Sequence, residues 1–321
     1  MSDECTVSTC PIAASTLGYR PNIFSSVFFM SFFGIAAGVQ LLQCLRYRLW
    51  FFSVAMVLGC LCEVGGYPGR LMLHHDPFSQ SGFNLQIVLL TIAPAFLSAA
   101  IYLMLKHLVL AYSPSLSRIP PAWYTWIFIP CDLISLVLQA AGGGMAATAD
   151  LSDKDMLDAG NDIMMAGLSF QVFTLAIFAI LSAEFAWRVR RCDVSQMNDK
   201  TIALRGSMRF KVFLAALVVA FWGIMFRCIY RIVEMAGGWG NPIMQDEVSF
   251  IILDPMLCAL AVLVLTLWHP GYCFNYRVVN ADILDVEKAA GQERRLSEAS
   301  TRLAASDSSV FDGPKKEGAD E

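Results

Sequence analysis

Residues 210–235 have the sequence FKVFLAALVVAFWGIMFRCIYRIVEM, an almost continuously apolar run with a few charged side chains inside it. A helix needs about 20 mostly apolar residues to cross the roughly 30 Å of hydrocarbon in a bilayer. Six further runs meet this requirement, at residues 23–45, 49–70, 85–105, 123–146, 163–187 and 247–268. None of the runs alternates polar and apolar residues as a barrel strand does. The sequence therefore predicts an all-α polytopic membrane protein, a bundle of seven transmembrane helices.

The composition of the 321-residue chain also indicates a membrane protein. Of its residues, 56% are hydrophobic and only 16% are charged, with a mean hydropathy of +0.56. Soluble chains average roughly 25% charged residues, so this chain is too apolar for a water-soluble fold. A net charge of -4 and a pI near 5.6 exclude an overall basic field, and we expect no nucleic-acid partner.

The distribution of Lys and Arg predicts the orientation of the bundle across the membrane. The first 22 residues and the second, fourth and sixth loops carry three of these residues, whereas the other three loops carry eleven and the C-terminal segment seven. By the positive-inside rule we expect the N-terminus outside and the C-terminus in the cytoplasm. The expected organisation is an extracellular segment 1–22, a transmembrane domain 23–272 and a largely disordered cytoplasmic tail 273–321.

Polar and ionisable side chains occur inside the predicted helices. On insertion scales an ionisable residue at a helix centre costs about 2.5 to 3.5 kcal/mol, so each needs a reason. Residues three, four or seven apart share one helix face. The sets with this spacing are Glu63, Tyr67 and Arg70; Asp132, Ser135 and Gln139; Arg227, Arg231 and Glu234; and Glu247 with Asp254.

The expected orientation places these side chains at three depths, because seven residues of helix rise about 10 Å. We expect Asp132 near the middle of the membrane. The residues expected near the outer boundary are Arg70, Glu234 and Glu247. The residues expected between these two levels are Glu63, Gln139, Gln171, Arg227 and Asp254. With Arg231, these are the candidate substrate-binding or translocation residues, and together they predict a cavity open to the outside.

The charge count inside the helices favours a functional role. There are five acids, Glu63, Asp132, Glu234, Glu247 and Asp254, against the three bases Arg70, Arg227 and Arg231. Two acids therefore lack a partner and must be protonated, bind a cation or meet a positively charged ligand. The alternative is a structural network of ion pairs that fixes helix packing, with Arg227 paired to Glu63 or Asp254.

Proline and glycine in the helices predict local departures from regular packing. Pro94 should kink the third helix in mid-membrane and leave one backbone carbonyl without its donor. Gly142, Gly143 and Gly144 permit a close backbone approach or an unwound turn at the outer end of the fourth helix, or they only mark where that helix ends.

Sequence signals for cofactors and catalysis are absent. The four histidines lie near the predicted membrane surfaces, so no three-histidine metal site forms inside the membrane. The seventh helix has no mid-span Lys for a retinal Schiff base, and the chain has no phosphate-binding loop motif. We expect no metal, no cofactor and no catalytic residue, and hence not an enzyme. Only Cys5 and Cys10 lie outside, where a disulfide is permitted.

The C-terminal segment carries one candidate regulatory site. Arg294-Arg295-Leu296-Ser297 has the pattern of a basophilic kinase site. Ser297 is therefore a candidate for phosphorylation, and the tail is a candidate for binding cytoplasmic regulators.

Several stretches resemble one known family. They are Glu63-Val-Gly-Gly-Tyr-Pro-Gly-Arg70, Asn84–Tyr102, Cys131–Gly144, Gly167–Gln171, Arg227–Glu234, Glu247 with Asp254, and His269-Pro270. Together they resemble the fungal lipid-translocating exporter family that is named for aminocholesterol resistance and includes a sphingoid long-chain-base exporter. The resemblance implies a seven-helix protein, often of the plasma membrane, linked to lipid asymmetry, sphingoid-base release or resistance to toxic amphiphiles. Some similar proteins are tied to porphyrin or haem movement.

Two functions follow as hypotheses. The first is a transporter or translocase that exports an amphipathic lipid-like substrate, such as a sphingoid long-chain base whose ammonium pairs with Asp254 or Glu63. The second is a seven-helix lipid sensor or receptor that signals through its basic fifth loop and its tail. Flux separates the two, since a transporter moves its substrate without a cytosolic partner and a sensor moves nothing.

Overall fold

The computed structural model describes residues 10–112, 116–148, 154–192, 206–238 and 240–273. Within these ranges every regular element is helical, and seven spans are long and apolar enough to cross a membrane. The spans are α1 (Ile23–Tyr47), α2 (Trp50–His75), α3 (Gln80–Tyr112), α4 (Pro121–Thr148), α5 (Lys154–Arg191), α6 (Met208–Ala236) and a seventh made of α7 (Glu247–Leu253), α8 (Pro255–Leu267) and α9 (Pro270–Cys273). The prediction of an all-α, multi-pass membrane protein is confirmed.

The chain divides into two units, Met1–Asn275 and Tyr276–Glu321. The second unit, which contains Ser297, lies outside the described residues. Near the other end of the chain, Cys10 is bonded in a disulfide. Cys5, the other cysteine for which the sequence permits a disulfide, lies outside the described residues.

Local sequence sets where the helices begin and end. The side-chain oxygen of Asn22 accepts a hydrogen bond from the Phe24 N–H at 2.8 Å and caps the start of α1. The Ser207 hydroxyl does the same for the Phe210 N–H at 3.2 Å before α6. Arg48, with φ 60°, turns the chain into the left-handed region after α1. The short polar side chains of Asn22 and Ser207 thus satisfy N–H groups that the first helical turn leaves without a partner.

The seventh span is broken, whereas the sequence predicts one helix over 247–268. α7 ends at Leu253, α8 begins at Pro255, and Asp254 lies between them at φ -109° and ψ -81°. Proline supplies no N–H and restricts the residue before it. At Asp254 the backbone leaves the helical region, whereas Pro68, Pro94 and Pro130 lie inside the continuous helices α2, α3 and α4. The predicted seventh span is confirmed, and it consists of shorter helices with the break at its polar residue, Asp254.

Helices that follow one another along the chain pack against each other from α1 to α5, and α6 packs on α8, α5 and α3. α4 and α5 approach closely at Gly142, where a Cβ atom would lie 2.5 Å from the Gly160 carbonyl oxygen. Of the alternatives that the glycine run allows, the close approach is the one observed at Gly142, and α4 continues past the run to Thr148. A close approach is not needed at Gly144, where a Cβ atom meets nothing within 4 Å.

The outer surface of the bundle is apolar and its centre holds the polar groups. Phe24 is 79%, Phe51 81% and Trp126 78% exposed, an arrangement that suits surrounding lipid and not water.

The two ends of the bundle also differ. The N-terminal end holds residues 10–22 and the start of α7. The Asn22 N–H links these two segments by donating to Glu247 Oε1 at 2.7 Å. The basic end, where α5 ends and α6 begins, carries Arg188, Arg190, Arg191, Arg209 and Lys211.

Candidate polar network and buried acids

A network of polar side chains lies between α2, α3, α6 and the seventh span. Three arginine–carboxylate ion pairs form it. Its members, called the polar network below, are Glu63, Arg70, Arg227, Arg231, Glu234, Glu247 and Asp254. All of them were predicted as site residues, and the ion pairs show which base meets which acid.

Arg227 connects three parts of the bundle. Its Nε donates to Asp254 Oδ1 at the break in the seventh span, and its Nη2 donates to the Leu90 carbonyl on α3. Leu90 precedes Pro94 by one helical turn, and proline has no N–H to donate to that carbonyl. The carbonyl that Pro94 was predicted to free is thus the one that Arg227 satisfies.

Arg231 repeats this arrangement one turn nearer the N-terminal end. Its Nη1 donates to Glu234 on the same helix, and its Nη2 donates to Thr91 Oγ1 on α3 at 3.4 Å. The Asn241 side-chain amide donates to the Glu234 carbonyl and closes the end of α6. Two successive arginines therefore hold α6 against α3.

Arg70 joins the N-terminal segment to α2 and α7. Its Nη2 donates to Glu247 Oε1 at 3.2 Å and to the Tyr19 hydroxyl at 3.4 Å, and its guanidinium lies 4.2 Å from the centroid of the Phe250 ring. Burial raises the pKa of the Tyr19 hydroxyl above its usual value of 10.0, against the lowering effect of the positive charge on Arg70. Tyr19 is therefore a neutral hydroxyl at physiological pH.

Glu63 has no ion pair among the described residues, and it is one of two intramembrane acids in that position, the number that the charge count indicated. It is 1% exposed, and its Oε2 accepts a hydrogen bond from the Tyr67 hydroxyl at 3.3 Å. The Cys258 thiol on α8 also lies within hydrogen-bonding reach of the carboxyl, while Oε1 meets no donor at ordinary hydrogen-bond distance in the described part of the chain. The carboxyl lies within range of the charges of Arg227 and Asp254, which are already paired with each other.

Asp132 is the second of the five intramembrane acids to have no ion pair in the described part of the chain. From α4 it faces α3, where Ser98 Oγ donates to its Oδ2 at 2.6 Å and the Tyr102 hydroxyl donates at 3.0 Å. The Oδ1 atom has no partner there, and the residue is 3% exposed. The sequence analysis did not identify Ser98 and Tyr102 as hydrogen-bond donors to Asp132. Their i, i+4 spacing, which places both hydroxyls on one face of α3, was a usable signal.

Gln139 and Gln171 form a separate pair between α4 and α5. The Gln139 Nε2 donates to the Gln171 Oε1 at 3.1 Å, and both side chains are buried. Gln139 Oε1 and Gln171 Nε2 are without hydrogen-bond partners in the described ranges. The structure thus brings these two predicted residues together, apart from the arginine pairs.

The expected open cavity at the level of these residues is wrong for this conformation. Glu63 is 1%, Arg227 2% and Asp254 1% exposed, because their side chains pack on one another and exclude water. Within the described ranges, no three His, Cys, Asp or Glu side chains are grouped to hold a metal ion. The arrangement can carry a proton or receive a cation at an unpaired carboxylate, but only after the helices move apart.

Comparison with known proteins places the chain among fungal membrane proteins. A family model described as RTA1 like protein matches residues 56–277. The chain is 32% identical to the Saccharomyces cerevisiae sphingoid long-chain base transporter RSB1, across 94% of this chain and 85% of that protein. It is 31% identical to the yeast protoporphyrin uptake protein 1, across 65% and 66% of the two chains, and 29% identical to the yeast protein RTM1, across 66% and 65%. No solved structure matches.

Proposed function

The chain belongs to the RTA1-like family of membrane proteins, and on that premise we propose that it exports an amine-bearing lipid such as a sphingoid long-chain base. It is a transporter of a lipid-like substrate and not an enzyme, since two of the relatives above are named for transport or uptake and the sphingoid long-chain base transporter aligns over 94% of the chain. The identity of the amine and the direction of its movement are the finer parts of the proposal.

The observation that carries the proposal is the buried carboxyl of Glu63, which has no base of its own. An unpaired carboxylate in a low-dielectric interior is unstable, so it takes up a proton or a cation. A sphingoid ammonium supplies that cation and donates to the open Oε1. Asp254, the other expected partner for the ammonium, is already paired with Arg227, so Glu63 is the first acceptor of the substrate.

The substrate's hydrocarbon chain has an apolar wall beside this carboxyl. Tyr67, whose hydroxyl donates to Glu63, stacks on Phe29 and Phe33 of α1 with ring centroids 6.1 and 6.3 Å apart. An amphiphile with its ammonium at Glu63 can place its chain along these rings between α1 and α2. A mostly apolar site with a few fixed polar groups is the usual design for binding such a ligand.

The break in the seventh span supports a transport cycle. Secondary transporters often bind substrates or ions where a transmembrane helix is interrupted, since the freed backbone and the two half-helices can rearrange. Here the interruption at Asp254–Pro255 is held by Arg227. Opening the network requires that ion pair to loosen, and the closed conformation is the state between two open ones.

The direction of transport rests on the distribution of basic residues. The basic end carries five Lys and Arg residues where α5 ends and α6 begins, which favours the cytoplasm for that end and the outside for the N-terminus. We place the protein in the plasma membrane, with residues 273–321 as a cytoplasmic tail that binds regulators and is phosphorylated at Ser297. A substrate leaving from the N-terminal end is then exported.

Flux across a membrane tests the proposal against the sensor. The full chain is reconstituted in vesicles without any other protein, and movement of a labelled sphingoid base between the leaflets is followed against protein-free vesicles. The proposal predicts movement above the protein-free rate. A sensor leaves the rate unchanged, and that result overturns the proposal.

A further inference from the structure

A second feature of the bundle lies away from the polar network. A cavity of about 340 Å³ opens between α3, α5 and α6 on the side of the basic end. The rings of Phe178 and Phe221 line it at one level and Arg190 lines it at another. It faces the surrounding lipid, because Val218 and Trp222 of its lining are 51% and 46% exposed.

The length of the cavity matches one leaflet of a bilayer. Phe178 and Arg190 are twelve residues apart on α5, which corresponds to about 18 Å along the helix axis. One leaflet contributes about half of the roughly 30 Å hydrocarbon core. The lining between these two residues is aliphatic or aromatic apart from Ser182. The cavity therefore has the depth and the surface that an acyl chain requires.

The charge at the cavity's basic end selects the kind of lipid. The last turn of α5 contains Arg188, Arg190 and Arg191, and of these Arg188 is paired with Glu184 at 2.6 Å. Arg190 is exposed and forms no ion pair in the described part of the chain. A phosphate accepts hydrogen bonds from such a guanidinium, and basic pockets between transmembrane helices hold anionic headgroups. A long-chain amine is repelled by the same charges.

We propose that this cavity binds an anionic phospholipid of the leaflet at the basic end. One acyl chain lies between α3, α5 and α6 with its end toward Phe178, and the net negative headgroup pairs with Arg190. A phosphatidylcholine carries the same phosphate, but its quaternary ammonium offsets the charge that attracts the guanidinium. The lipid is a resident ligand and not the transported substrate. The proposal does not depend on the exporter function, and it explains how the gap between α5 and α6 is filled in the membrane.

Photo-crosslinking of the purified full chain tests the site. The probes are phosphatidylserine and phosphatidylcholine, each carrying a photoactivatable group near the end of one acyl chain. We expect phosphatidylserine to label the cavity walls on α5 and α6 in preference to phosphatidylcholine. Ala179→Trp fills the cavity and should abolish this labelling, whereas Ile180→Trp, on the same helix but 67% exposed to lipid, should leave it unchanged.

The headgroup contact has its own variants. Arg190→Gln should weaken phosphatidylserine labelling about fivefold, the effect of one basic side chain near an anionic surface. The control Arg46→Gln removes a like charge at the end of α1 and should leave phosphatidylserine labelling unchanged. Equal labelling by the two phospholipids, or labelling that survives Ala179→Trp, overturns the proposal. Stronger labelling of the cavity by a photoactivatable long-chain amine also overturns it, because the cavity then belongs to the transport route.

Discussion

The guanidinium of Arg227 on α6 donates to the backbone carbonyl of Leu90 on α3. That carbonyl is available because Pro94, one turn further along α3, has no N–H to offer it. The same arginine holds Asp254 at the break in the seventh span. A proline in one helix therefore determines where an arginine from a second helix attaches, and through it the position of a third.

Replacing Pro94 by Ala should separate stability from transport. The new N–H donates to the Leu90 carbonyl and competes with Arg227, so we expect a thermal unfolding midpoint equal to or above that of the wild type together with slower substrate movement. Pro130→Ala in α4 is the matched control, because Pro130 lies outside the polar network. Equal transport rates for the two variants contradict the role given to the freed carbonyl.

The Arg227–Asp254 ion pair should show strong coupling in a double-mutant cycle. Arg227→Met or Asp254→Leu alone leaves a buried charge without a partner and should lower the free energy of unfolding by about 3 to 5 kcal/mol. The double variant should lose less than the sum of the two, because neither charge remains. Denaturation of the purified proteins measures all three values, and simple additivity refutes the pairing.

The hydroxyl of Tyr102 should stabilise the bundle through Asp132. Tyr102→Phe removes a hydrogen bond to a carboxyl oxygen, so we expect a loss of about 1.5 to 3 kcal/mol in the free energy of unfolding. The loss should shrink in an Asp132→Leu background, where no acceptor remains. An equal loss in both backgrounds would mean that Tyr102 acts only through ring packing on Phe128 and Phe178.

Glu247 should hold the N-terminal segment against the bundle. Its Oε1 accepts from the Asn22 N–H at 2.7 Å and from Arg70 at 3.2 Å. Glu247→Ala removes both contacts, and we expect faster amide hydrogen exchange in residues 17–24. The control Glu184→Ala removes an acid at the basic end and should leave exchange in residues 17–24 unchanged. Unaltered exchange after Glu247→Ala would show that other contacts hold the segment.

The helices were largely predictable from the sequence, although their ends were not. Hydropathy predicted the third and fifth spans over 85–105 and 163–187, while the helices extend over Gln80–Tyr112 and Lys154–Arg191. Hydropathy reports the length of chain inside hydrocarbon, and a helix continues past that boundary into polar residues. The break at Asp254–Pro255 was indicated locally by the proline, which restricts the residue before it. The high hydropathy of the surrounding residues nevertheless predicted one continuous span.

The composition of the site was predictable, but its pairing was not. Counting charges indicated two acids without bases, yet it did not identify them as Glu63 and Asp132. That identity depends on the three-dimensional arrangement, which places Asp254 against Arg227 and Glu247 against Arg70. The Leu90 carbonyl and the Thr91 hydroxyl were not predicted as arginine partners, since neither is charged.

The most direct test of the account is export of a labelled sphingoid base from cells that lack related exporters. The wild-type chain, Glu63→Gln and the control Asp158→Asn, an exposed acid on α5, are compared at matched surface expression. Because the neutral Gln amide cannot form an ion pair with an ammonium, we expect export by the wild type and by Asp158→Asn and none by Glu63→Gln. Export by Glu63→Gln at the wild-type rate would contradict the central claim that this carboxyl receives the substrate.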